Sequence, residues 1–153
     1  MTQTIAAGAL PEWCGRELPP SGWMEIDQRR VILFAEATND HQFIHVDPER
    51  AVKTPFGGTI AHGFLSLSLI SYLVMENFIR VQGTQMVLNY GFDRVRFIHP
   101  VRVGSRVRSR QTLLDAVEKS PGRWLLKTEV NVEIENVDKP ALSAVFLSMI
   151  ITA

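Results

Sequence analysis

"WLLKTEVNVEI", residues 124–134, alternates without a break: Trp124, Leu126, Val130, Val132 and Ile134 fall on one parity, and Lys127, Glu129, Asn131 and Glu133 on the other. Successive side chains of a strand point to opposite faces, so the stretch predicts a β-strand with one apolar face and one wet one. The preceding "SRVRSRQTL", residues 105–113, alternates too, and Pro121-Gly122 between them suits a turn. Further upstream the apolar residues keep even parity (Met86, Leu88, Tyr90, Phe92) and then switch to odd (Val95, Phe97). A single bulge between Gly91 and Arg94 is expected to hold one face inward. Downstream, "ALSAVFLSMII", residues 141–151, is apolar on both parities, as expected of a strand covered on both faces.

The first half of the chain has a different period. Asp27 is placed to cap a helix from Gln28 to Thr38, in which Val31, Phe34, Ala35 and Thr38 recur at helical spacing. Asp47-Pro48 is a second start signal, acid at the cap and proline at the first helical position, with Val46 spaced to pack against Ala51. On this reading His45 lies in a loop just outside a short helix. The run from Phe64 to Met75 is apolar on nearly every face, which predicts a helix enclosed on all sides that returns to solvent at Glu76 and Asn77. The first 22 residues read as an irregular lead-in, and "WMEI", residues 23–26, as a short strand. Helices first and antiparallel strands afterwards imply an α+β domain over residues 1–153, one curved sheet wrapped around one central helix.

Composition narrows the function. At 153 residues and 46% hydrophobic content the chain can close a core without metal or disulfide staples. Cys14 is the single cysteine and cannot form an internal disulfide. "MTQTIAAGALPEW" lacks the basic start and the sustained apolar stretch of a signal peptide, so a reducing cytoplasm is expected. A formal net charge of zero argues against a general nucleic-acid binder. The Phe64 to Met75 run, interrupted by Ser66, Ser68 and Ser71, falls short of the roughly 20 residues needed to span a bilayer.

Three clusters have residue types suited to chemistry. In "NDHQFIHVDPERA", residues 39–51, Asp40 and His45 combine groups whose intrinsic pKa values differ by more than about two units, so one can accept a proton while the other supplies it. The same residues suit a turn cap and a half-buried structural histidine. His41 with His45 has metal-pair spacing, but that pairing requires a helix. In "PFGGTIAHGF", residues 55–64, small residues lead into the central helix, where backbone N–H groups can meet a developing oxyanion; close packing, with His62 as a cap, is the competing reading. Arg94, Arg96, Arg102, Arg106, Arg108 and Arg110 suit either the phosphates of a carrier such as coenzyme A or a solvated sheet face.

The order of these clusters resembles that of the MaoC-like dehydratase family, which includes the (R)-specific enoyl-CoA hydratases and the nodulation protein N group. The family's acid, four intervening residues, histidine, Asp-Pro helix start and later "AHG" are matched by Asp40, His45, Asp47-Pro48 and Ala61-His62-Gly63. Its Phe-x-x-Pro-Val-x-x-Gly element is matched by Phe97, Pro100, Val101 and Gly104, so the resemblance runs through most of the chain beyond residue 22. Many hydratases carry Asn-Pro where this chain has Gln42-Phe43, and "HQFIH" is similar to the nodulation N-like form.

The resemblance implies a hot-dog fold, a homodimer, and reversible addition of water to a trans-2-enoyl-CoA, giving an (R)-3-hydroxyacyl-CoA without metal or redox cofactor. It implies Asp40 as the base and His45 as the group that orients water and protonates C2, with the reverse assignment open because two groups sharing one water titrate as a pair, and the Gly63 N–H as the oxyanion donor. Ser71 is expected to orient Asp40. His62, Phe43, Asn89, Arg94 and Arg96 are expected along the substrate path. A hot-dog thioesterase and a non-catalytic acyl-CoA-binding protein are the competing readings.

Overall fold

The computed structural model describes residues 3–153. Four long strands carry the architecture: β5 (Thr84–Phe97), β6 (Arg106–Ser120), β7 (Arg123–Ile134) and β8 (Val137–Thr152). With β2 (Glu17–Leu18) they form an antiparallel sheet in the order β2-β6-β7-β8-β5, and β3 (Met24–Glu25) also pairs with β6. The central helix runs as α4 (Gly63–Ser68) and α5 (Ile70–Glu76), joined through Leu69. The Ser68 hydroxyl donates to the Phe64 carbonyl at 2.7 Å, a back-bond of the kind that bends helices.

β7 behaves as its alternation predicts. Leu126, Val130 and Val132 are fully buried and join one apolar cluster with Ile70, Leu73 and Val74 of α5. Each such side chain contributes about 1.5–3 kcal/mol by leaving water. Gln111 of β6 enters the same interior and donates Nε2–H to the Val74 carbonyl at 3.1 Å, satisfying a buried amide and a helix carbonyl together. The Pro121-Gly122 turn joins β6 to β7 as expected.

The short elements follow their start signals. Helix α1 (Gln28–Thr38) has the expected bounds, and Asp27 accepts the Arg30 N–H at 2.8 Å. Helix α3 (Pro48–Ala51) begins after Asp47, which accepts the Arg50 N–H at 3.0 Å.

Six sequence expectations need correction. His45 lies not in a loop but in a single helical turn, α2 (Phe43–Val46), because the chain between the two caps closes on itself: the His45 N–H donates to the Gln42 carbonyl and the Asp47 N–H to the Phe43 carbonyl, both at 2.9 Å. The lead-in is ordered, with β1 (Thr4–Ile5) parallel to β4 (Arg80–Val81) and a 3-10 helix (Ala7–Trp13) whose Leu10 is buried. The "WMEI" strand shortens to Met24–Glu25.

The fourth and fifth corrections share one location. β5 contains two register shifts around the predicted bulge, Asn89/Gly91 and Phe92/Arg94, so parity flips twice. Facing partners on β8 show the result: Val87, Asn89, Phe92, Val95 and Phe97 share a face with the buried Ile150, Ser148, Phe146, Ala144 and Leu142, whereas Met86 and Leu88 lie on the outer face. The central helix is also not enclosed, since Phe64, Tyr72 and Met75 are 65%, 56% and 45% exposed. β8 likewise has one buried face and one half-buried face rather than two covered ones.

Candidate active site

The site is assembled around residues 59–61. Thr59 and Ala61 are held to the 101–103 segment, the Ala61 N–H donating to the Val101 carbonyl and the Val103 N–H to the Thr59 carbonyl. Ile60 between them faces α2, its N–H donating to the Ile44 carbonyl at 3.0 Å. Its carbonyl then receives Nδ1–H of His45 at 2.7 Å. A carbonyl can only accept, so the His45 proton sits on Nδ1 and Nε2 is left with a lone pair. Gln28 of α1 fixes the same residue from behind: its Nε2–H donates to the His45 carbonyl at 2.7 Å while Oε1 accepts the Thr59 hydroxyl at 2.6 Å.

His45 is 6% exposed, and burial lowers its pKa below the ordinary 6.5, with the hydrogen bond to Ile60 opposing that shift. The neighbouring His62 lowers it further and Asp40 raises it. The ring is therefore a neutral acceptor at neutral pH.

His62 stacks on His45, with ring centroids 3.8 Å apart and planes at 26°, while Phe34 lies tilted against it at 5.0 Å. It occupies the cap position of α4, yet its side chain does not cap the helix; Nε2–H donates instead to the Asp40 main-chain carbonyl at 2.9 Å. The exposed Asp40 carboxylate and one ring nitrogen from each of His45 and His62 lie within 4.8 Å of one another. Such a trio has the composition of a metal set, but stacked rings hold their in-plane lone pairs in nearly parallel planes, a poor match to the convergent geometry of a tetrahedral ion.

His45 and Gly63 line a cavity of about 310 Å³, with Phe56, Ser66, Phe97 and His99 also in its wall. Gly63 is the first residue of α4, where N–H groups have no intrahelical acceptor. Glycine fits against Phe97 without moving it: a Cβ on residue 63 would stand 3.0 Å from the ring, which would have to give by a few tenths of an ångström. Phe97 also packs edge-on against Phe64, closing that side.

The other expected residues are distributed elsewhere. Ser71 and Asn89 line a second groove of about 330 Å³ with Tyr90 and Phe92, and the Ser71 hydroxyl donates to the Ser68 carbonyl at 3.3 Å. Phe43 is half-buried beneath the Arg50 guanidinium, 4.2 Å from its ring centre. Arg94 and Arg96 lie on the outer face of the sheet, Arg94 at 3.6 Å from Glu129 and Arg96 bonded to its own neighbour's carbonyl. Of the remaining arginines, Arg106, Arg108 and Arg110 pair with Glu135, Glu133 and Glu17. Gln28, Thr59, Ile60 and His99 carry no signal by spacing; the Gln28 amide and the Ile60 carbonyl that hold His45 come from two separate segments.

A long antiparallel sheet curled around one helix, with an acid and a histidine at the helix mouth, defines a hot-dog protein of the MaoC-like type. The family model described as MaoC like domain matches residues 11–137, and the chain belongs to the MaoC-like dehydratase family. It is 50% identical over 147 residues to nodulation protein N of Rhizobium leguminosarum bv. viciae, covering 95% of this chain and 91% of that protein. It is 45% identical over 130 residues to 3-hydroxyacyl-thioester dehydratase Z of Mycobacterium tuberculosis, covering 85% of each. Among solved structures, the unliganded (R)-hydratase PhaJ1 of Pseudomonas aeruginosa superposes with a TM-score of 0.74 at 25% identity, over 99% of this chain and 89% of that one.

Proposed function

We propose that the protein is a hydro-lyase that adds water reversibly to a trans-2-enoyl-CoA, giving an (R)-3-hydroxyacyl-CoA. The observation that carries this reading is His45, a neutral imidazole with its proton fixed on Nδ1 and one ring nitrogen within 4.8 Å of an Asp40 carboxylate oxygen, in the wall of a cavity that Gly63 also lines. The dehydratase named among its relatives supports it.

The tautomer favours the reverse of the two assignments that the sequence leaves open, with His45 as the base. His45 Nε2, which carries no proton, and an Asp40 carboxylate oxygen can each accept a hydrogen bond from a water. The water oxygen is thereby turned toward C3. His45 Nε2 takes one proton as the C–O bond forms, and the resulting imidazolium, set beside Asp40, returns that proton to C2. Both hydrogens of the product then originate from one water on one face of the alkene. Charge that develops on the thioester oxygen is met by the Gly63 N–H, a contribution typically about 10² to 10³ in rate. The thioester already activates the alkene, so this chemistry calls on no metal or redox cofactor, and chelators should leave the rate unchanged.

Asp40→Asn and His45→Gln should each lower kcat by about 10² or more with the fold intact, followed as loss of enoyl absorbance with crotonyl-CoA and longer enoyl-CoA esters. Wild-type rates in either variant would sink the dyad, and release of free thiol without hydration would mean a thioesterase. The acid limb of kcat/KM should lie below pH 6.5, because burial delays protonation of His45 as pH falls. A limb at or above the ordinary histidine value would contradict the neutral acceptor.

The protein is further proposed to work as a homodimer joined along β5. That strand forms an edge of the sheet, and Leu88, Tyr90 and Phe97 on it, with Phe64 and Tyr72 beside it, are exposed apolar surface. A long apolar edge left open is an aggregation hazard that a second copy would cover.

A further inference from the structure

We propose that His62 is a positioning residue of this site, an imidazole that clamps the Asp40 main chain and the His45 ring into one geometry. The inference rests on the dyad reading above. His62 is 2% exposed and its Nε2–H is committed to the Asp40 carbonyl, so that donor is not free for a substrate. Its flat face lies against His45, and Phe34 backs the ring. The same side chain therefore touches both halves of the dyad, which are otherwise held by different contacts: His45 by Gln28 and Ile60, Asp40 by the Gln42 N–H, which donates to its carboxylate at 3.4 Å.

The second nitrogen sharpens the point. Nδ1 of His62 is buried and has no hydrogen-bond partner among the described residues. A buried polar atom left unsatisfied destabilises a fold and calls for a reason. Packing alone would be served better by phenylalanine, which has no such atom; the hydrogen bond alone would be served by glutamine, whose amide reaches about as far as Nε2. Among side chains of this size, imidazole combines a stackable ring with a donor at that distance. The idle Nδ1 is the consequence of needing both.

Two single substitutions separate the two contacts. His62→Phe keeps the stack and releases the Asp40 carbonyl; His62→Gln keeps a donor and releases the His45 ring. With crotonyl-CoA, each should lower kcat about tenfold or more while KM stays within about twofold, the split expected of a group that aligns catalytic residues without touching substrate. Imidazole ¹⁵N spectra supply a readout independent of turnover. In the wild type at pH 7.5, His45 should appear as the Nδ1–H tautomer and His62 as the Nε2–H tautomer with a slowly exchanging proton. In His62→Gln, His45 should become a mixture of tautomers. Wild-type kcat in a folded variant would overturn the proposal. So would a loss carried by KM, which would make His62 a substrate contact, or a His62 of mixed tautomer in the wild type, a measurement that stands even if both variants fail to fold. If wild-type protein turned over no enoyl-CoA yet showed the two tautomers, the hydration reading would fall and the clamp would stand.

Discussion

β7 and β5 belong to one sheet and are separated only by β8, yet they are finished to different degrees. β7, of 12 residues, alternates buried and half-buried side chains almost to its end. β5, of 14 residues, has no buried residue at all. Composition does not cause the difference, since β5 carries Met86, Val87, Leu88, Tyr90, Phe92, Val95 and Phe97. Position does: β7 has a strand on each side and the central helix beneath it, whereas β5 is an edge whose neighbouring helix face is also open. One half of the molecule is completed by its own chain, and the other is left with an open, apolar edge.

Mutations should register that contrast, and the largest effect is expected in the interior. Leu126→Ala on β7 removes a fully buried side chain and should cost about 2–5 kcal/mol of unfolding free energy, read from a denaturant midpoint. Leu88→Ala, on the outer face of β5, should stay within about 0.5 kcal/mol. Comparable losses at the two positions would erase the distinction. Gly63→Ala comes next, because Gly63 meets Phe97 where β5 reaches the site. The added methyl forces the ring to shift, costing about 1–3 kcal/mol if Phe97 cannot move, and kcat/KM should fall with it. Tyr90, 61% exposed, tests the open half itself: Tyr90→Asp should leave protomer stability intact while weakening dimerisation tenfold or more, about 1.4 kcal/mol, in sedimentation equilibrium. An unchanged association constant would remove β5 from the interface.

The same contrast explains what was legible in the sequence. Asp27, Asp47 and Pro48 act within one turn of themselves, so their caps could be read directly. The alternation of β7 is enforced at every residue by its two neighbours, and it survives into the structure. On β5 no second strand fixes the register, so a second bulge enters and moves Met86 and Leu88 to the outer face, which the parity argument did not foresee. At the site, Asp40, His45, His62 and Gly63 could be proposed from motif order. The tautomer of His45 could not, because the Ile60 carbonyl that sets it and the Gln28 amide that steadies it lie 15 and 17 residues away in the chain. A six-residue pattern holds no information about a carbonyl on another segment.

The smallest expected effects concern the arginines of β5, and they test whether the outer face takes part in binding. Arg94 is already committed to Glu129, and both side chains are substantially exposed, so Arg94→Gln should change stability by at most about 1 kcal/mol. Arg96 has no acidic partner among the described residues and bonds only the Val95 carbonyl, which leaves most of its guanidinium donors available. If the phosphates of coenzyme A reach this face, Arg96→Gln should raise KM for a full enoyl-CoA severalfold while KM for a truncated enoyl thioester stays unchanged. Arg94→Gln should raise it less, because freeing Arg94 for phosphate means giving up Glu129. Equal shifts for the full and truncated thioesters would take phosphate recognition away from Arg96. It would also leave the outer face of β5 with no role in the site, so that only the inner face, through Phe97, would reach the substrate.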